Sequence, residues 1–222
     1  MYRSNPGARK GSTILEFAIV APCLLILFFG TVGLGLMMGR YVQTVQVARD
    51  VAHMYSNGID FTQASNRNIV TQQLASGVGM TDTGGNGVVV LSRVSTVYQA
   101  DCTAVGVTCT NLNLPVFTQR VTIGNSALRA SAFGTPSSSI LDSAGNIDPS
   151  VYMTNSNSSV RTNGFEAALD DAVTRATGSA ASPPQQPEGD IAYVVEVYFQ
   201  YPDIGFLGWS TAGGSYARFI FH

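Results

Sequence analysis

Glu16 is the first residue of this chain that demands an explanation. It stands five residues beyond Gly11 in Lys10-Gly11-Ser12-Thr13-Ile14-Leu15-Glu16-Phe17, at the head of an apolar run that continues with few interruptions from Thr13 to Met38. About 20 helical residues cross a bilayer core, so the run has length to spare. A carboxylate inside such a run is costly and marks a functional position unless something compensates it. A cut between Gly11 and Ser12 would supply that compensation. It would remove Arg3, Arg9 and Lys10 and leave an α-ammonium on Ser12. A helix N-terminus favours a nearby carboxylate, and in a staggered bundle Glu16 of one copy would neutralise the Ser12 ammonium of its neighbour. Uncut, Glu16 lies about 9 Å along a helix from Lys10 and reaches the interface of a plain single-pass anchor. A cleaved secretory signal fits poorly, because its apolar core would be about 7–15 residues and would end in a small-x-small site.

Elsewhere the chemistry is sparse. Cys102 and Cys109 flank Thr-Ala-Val-Gly-Val-Thr and are expected to close a small loop in an oxidising compartment. Cys23, inside the apolar run, reads as a small apolar residue. Nothing accompanies the cysteine pair to complete a metal site. The two histidines, His53 and His222, belong to no H-E-x-x-H pattern, and no G-x-S-x-G or phosphate-loop pattern is present. No catalytic residue, cofactor or small-molecule substrate is therefore expected. Asp142, Asn146 and Asp148 form an acidic turn that hints at calcium, but the spacing departs from an EF-hand loop and an Asx-rich turn is the simpler reading.

These residues need elements to hold them. One helix is expected over residues 13–56, roughly 65 Å long. Pro22 would bend it, and Thr31, Gly35 and Gly39, four residues apart, would let another helix approach closely. Beyond the apolar run, Tyr41, Val45, Ala48, Ala52 and Tyr55 form one apolar stripe, with Gln43, Gln46, Asp50 and His53 on the other side and Asn57-Gly58 as the stop. A second helix is expected over 61–75, started by Asp60 and Gln63 and ended by Gly77. From Gly87 the period changes to two. Val88, Val90, Val94 and Tyr98 mark a strand, and Phe117, Val121 and Ile123 a second, with the cysteine loop in a long hairpin connection. Residues 124–190 read as a loop-rich insertion with one helix over 164–176. Ile191, Tyr193, Val195, Val197 and Phe199 then alternate cleanly, and a last strand over 216–222 carries Ala217, Phe219 and Phe221 on one face. Between these two strands lie Ile204, Phe206, Leu207 and Trp209. Exposed, this cluster would contact a membrane surface or a partner; buried, it would tuck under the sheet. The expected fold is α+β, an antiparallel sheet packed on the outer half of the long helix.

Charged residues are 12% of the chain, about half the share of typical soluble domains. The formal charge of −2 gives no reason to expect nucleic acid as a partner. The cations before the apolar run place the N-terminus in the cytoplasm, and Arg40 and Arg49 beyond it do not reverse the asymmetry. The expected division is a basic leader, residues 1–11, a membrane helix, 12–39, and an extracytoplasmic domain, 40–222, periplasmic in a two-membrane cell.

The stretch Gly11-Ser12-Thr13-Ile14-Leu15-Glu16-Phe17-Ala18-Ile19-Val20-Ala21-Pro22, followed by a Leu/Ile/Phe-rich span, resembles the N-terminus of TadE-like pseudopilins. These are minor pilin-like proteins of the tight-adherence (Tad, or Flp) pilus. The Gly, the Glu-Phe pair and the Pro six residues beyond the Glu carry the resemblance, which covers roughly the first quarter of the chain; Val47-Ala48-Arg49-Asp50-Val51-Ala52 continues it loosely. The chain is too long for a major Flp pilin and lacks the D-x-S-x-S motif of the larger TadG-like relatives. The resemblance implies a non-enzymatic pilus subunit, cut after Gly11 by a prepilin peptidase and held in the inner membrane. Its partners would be that peptidase, the inner-membrane assembly platform and other pilins. The alternative is an unprocessed single-pass anchor carrying a binding or sensing module.

Overall fold

The computed structural model describes residues 10–155, 159–177, 186, 189–201 and 213–221. They contain the helices α1 (Lys10–Ser56), α2 (Ala64–Asn68), α3 (Gln99–Val105), α4 (Pro149–Thr154) and α5 (Phe165–Thr177), and the strands β1 (Gly87–Thr96), β2 (Pro115–Gly124), β3 (Ala192–Tyr201) and β4 (Gly213–Phe221). Two compact units divide α1, one ending at Val42 and the other beginning at Gln43.

In the first unit α1 begins at Lys10, three residues before the expected start, so Gly11 and Ser12 are already helical. Pro22 sits inside the helix without ending it.

In the second unit the strands pair antiparallel in the order β2-β1-β3-β4. Val47, Ala48, Val51, Ala52 and Tyr55 of α1 are buried against Val89, Leu91, Ile123, Val195, Val197 and Phe199 on one sheet face. Each of the Val, Leu, Ile and Phe side chains contributes about 1.5–3 kcal/mol when fully buried. The buried stripe is rotated from the expected one: Thr44, Val47 and Val51 join it, Val45 is only partly covered, and Tyr41 is exposed. The helix ends as expected. Gly58, at φ 82, donates its N–H to the Tyr55 carbonyl, and Ile59 donates to that of Met54. This pair of bonds satisfies carbonyls that a helix end would otherwise leave unpaired.

The second helix is shorter than expected, starting at Ala64 and passing into a π-helical segment, Ile69–Leu74. Asp60 does not cap it; its side chain accepts instead from the Thr62 backbone and hydroxyl. Strand β1 stops at Thr96 rather than including Tyr98. Asp101 accepts the Tyr98 N–H at 2.9 Å, which starts α3 inside what was expected to be a long hairpin connection. Cys102 in α3 is bonded to Cys109.

The other sheet face is covered too, by the insertion. Phe133, Ile147, Phe165 and Leu169 form a second core with Val94, Phe117 and Val194. A bulge puts Phe117 there: Arg93 pairs with Gln119 but Val94 pairs with Phe117. The extra residue, Thr118, turns Phe117 away from the face that Val121 and Ile123 occupy.

The two sheet edges differ. Along β2 the insertion supplies partners: Phe117 N–H donates to Val160, Arg120 to Gly145, and Ile147 and Thr162 donate to Thr118 and Pro115. Along β4 no backbone bond beyond those to β3 is formed among the described residues.

Candidate membrane and assembly segment

The Gly11–Ser12 peptide lies in the first turn of α1, where the amide groups have no intrahelical partner. Glycine weakens a helix relative to other residues, so this turn opens at low cost. Glu16 follows about one turn later and is exposed. Every large apolar side chain from Ile14 to Val42 is exposed, Phe17 to 70%. Among the described residues this is the one helix long and apolar enough to cross a membrane. Glu16 and Arg40 bracket its uncharged part. Residues 17–39 rise about 33 Å, against a hydrocarbon core of about 30 Å, which a modest tilt accommodates.

Thr31, Gly35 and Gly39 share one ridge of this helix. The Thr31 hydroxyl donates to the Phe28 carbonyl at 2.8 Å, which satisfies its donor within the helix. A Cβ built at Gly35 or Gly39 would meet nothing within 4 Å. Cys23 is a free, exposed thiol on the same helix.

The acidic turn uses its carboxylates locally. Asp142 accepts from the backbone N–H groups of Asn146 and Ala144, which hold its carboxyl below the usual range. Asp148 caps α4 through the Ser150 hydroxyl and N–H, and its carboxyl is lowered in the same way. Among the described residues no group of three His, Cys, Asp or Glu is placed to hold a metal. His53 is exposed and rests its ring 5.1 Å from that of Phe221. A small cavity of about 30 Å³ beside Tyr98, Phe165 and Gln186 has room for a water. The cluster Ile204, Phe206, Leu207 and Trp209, and His222, lie outside the described residues.

Sequence reasoning missed a buried charge cluster on the insertion side of the sheet. Glu196, 3% exposed, accepts from the Ser131 hydroxyl, the Ala132 N–H and the Tyr216 hydroxyl. Arg120, also buried, donates to the Gly134 carbonyl and stacks on Phe117. Burial pushes its guanidinium down to about 10, with the Glu196 charge opposing the shift. Burial and the Glu196 contact raise the Tyr216 phenol. Together these groups tie residues 131–134 to the sheet. The available signal was a charge at an inward position of each strand: Arg120 before Val121 in β2, and Glu196 between Val195 and Val197 in β3.

No curated protein and no solved structure matches the chain. Residues 11–53 match the family model of TadE-like proteins. The match opens at Gly11 and ends within α1, so the sheet and its insertion lie outside it.

Proposed function

We propose that this protein is a minor, non-enzymatic pilin-like subunit of a Tad/Flp-type pilus. It is cut after Gly11 by a prepilin peptidase, held in the inner membrane by α1 with its N-terminus cytoplasmic, and carries its sheet domain in the periplasm. The observation that carries this reading is the position of Glu16. It stands five residues past Gly11 on an exposed apolar helix that the TadE-like family model matches from Gly11 onward. The reading as a structural subunit follows the match of α1 to the TadE-like family model. Before assembly, Glu16 sits at the cytoplasmic interface opposite Arg40 at the other. In the assembly it meets the new Ser12 ammonium of a neighbour, and the pairing sets the axial register while apolar surface supplies the adhesion.

The test is the N-terminal sequence and mass of the protein from its native host, with and without the peptidase gene. Protein beginning at Ser12 only when the peptidase is present supports the reading. Full-length chain in both backgrounds would leave the unprocessed anchor with a binding or sensing module.

A further inference from the structure

The two faces of the sheet are covered in different ways. On one, α1 buries Val47, Ala48, Val51, Ala52 and Tyr55 in a continuous apolar seam. The other is crossed by residues 131–147, a strap whose one regular element is the 3-10 turn Ser138–Ile140. Within the strap only Phe133, Pro136 and Ile147 are buried. Little apolar surface therefore holds it down, which is the mark of a segment of low local stability.

Polar groups do the rest of the holding. Ser131 and Ala132 donate to Glu196, while Arg120 donates to the Gly134 carbonyl and Gln119 to that of Ala144. Two backbone bonds join the strap to β2, from Arg120 to Gly145 and from Ile147 to Thr118. This polar layer is incomplete. Among the described residues that are at least nine-tenths buried, only Ser92, at its hydroxyl, and Arg120, at Nε, leave a polar side-chain atom unpartnered. They pair across β1 and β2, on the face that the strap crosses. Lifting the strap would let water reach both groups and Glu196, returning hydration that closure removes. The ends of the strap are firmly held. Before it, Gly124 donates to the Asp82 carbonyl and Asn125 to that of Gly87. After it, the fully buried Asn111 donates to the Tyr152 and Asn155 carbonyls and accepts from Arg161, which fixes α4 beside the Cys102–Cys109 bond.

We infer that residues 131–147 lift from the sheet as a unit, between these two fixed ends, while α1 and the four strands stay folded. Lifting uncovers Arg120 and Glu196 and frees the middle of the β2 edge, at Thr118 and Arg120. The strap is thus a movable closure of that edge. The inference concerns the domain alone and does not depend on the proposed function.

The test is amide hydrogen exchange of the full chain in detergent, with and without Val51→Ala. In the unaltered chain the bonded amides of Ala132, Gly145 and Ile147 should exchange at least tenfold faster, relative to their intrinsic rates, than the α1 amides of residues 48–55. Val51→Ala removes buried methyl groups from the α1 core. It should speed exchange of the α1 amides about tenfold and leave the strap amides unchanged, because the lifted state keeps that core intact. Equal protection of strap and α1 in the unaltered chain would overturn the inference. So would acceleration of both by the same factor in Val51→Ala, since the strap would then open only when the whole domain unfolds.

Discussion

The Tyr55 hydroxyl donates a 2.9 Å hydrogen bond to the Gln119 side-chain oxygen, joining the last turn of α1 to β2 across the main core. Gln119 in turn donates to the Ala144 carbonyl. One side chain thus links the helix, the sheet and the insertion. Tyr55 is also wedged between the rings of Phe61 and Tyr193, and burial raises its phenol.

Tyr55→Phe keeps the ring and removes the donor, leaving the buried Gln119 oxygen unpaired. The expected loss is about 1–3 kcal/mol. Tyr55→Ala also opens a cavity and should cost about 3–5 kcal/mol. Denaturant unfolding of the full chain in detergent measures both, and a neutral Tyr55→Phe would show that water replaces the bond.

Replacing Gly11 with a bulky residue should block the cut before Ser12, because a side chain there obstructs the scissile bond. The readout is the processed fraction by mass spectrometry in cells with an active peptidase.

Glu16→Gln separates the two roles of that carboxylate. If it neutralises a neighbour's ammonium, processing persists but entry into the assembly falls. Losing one member of a buried pair costs about 3–5 kcal/mol, or two decades or more in association. If it only reaches the interface, the variant inserts and co-purifies as well as the unaltered protein.

Breaking the Cys102–Cys109 bond by Cys→Ser at both positions should cost about 2–3 kcal/mol, as expected for a loop of about eight residues. Cys102 is buried with Val97, Val116 and Met153, so the damage should centre on α3 and α4, where amide exchange will show it first.

Asp142 and Asp148 both have carboxyls held below the usual range, by the Asn146 N–H and by Ser150 respectively. Their contribution is fully present above the unfolded carboxyl value, about 4, and is lost as the pH falls through the folded values. The insertion should therefore loosen below about pH 4. Asp148→Asn keeps a capping oxygen without the titration and should flatten this dependence, followed by exchange rates in α4 against pH.

The elements with one clear period were legible in the sequence. β3 shows alternation at Tyr193, Val195, Val197 and Phe199, and α1 shows an apolar run to Met38 followed by an apolar stripe closed by Asn57-Gly58; both formed, β3 one residue later and α1 three residues earlier than expected. What escaped depended on contacts distant in sequence. The second core was hidden because its residues, Phe133, Ile147 and Phe165, are scattered through Ser- and Asn-rich segments with no period of their own. Tyr98 reads as a strand residue by alternation, and only the Asp101 side chain three residues later makes it a helix start. The sheet face of Phe117 turned on one bulged residue, Thr118, that no propensity marks. For the assembly segment, the Gly11, Glu16 and Pro22 spacing was readable because it is local.

The strand order carries a kinetic consequence. β1 needs β3 on one side, yet the segment 125–191 separates β2 from β3 in the chain. During synthesis α1, β1 and β2 emerge well before the residues that complete their core, and closing so long a loop is slow. For that interval the half-built sheet exposes the β1 edge that β3 will later cover. On the proposed topology, in which the chain crosses the membrane extended and α1 stays in the bilayer, this intermediate would be kept tethered and apart from its neighbours until the last thirty or so residues arrive.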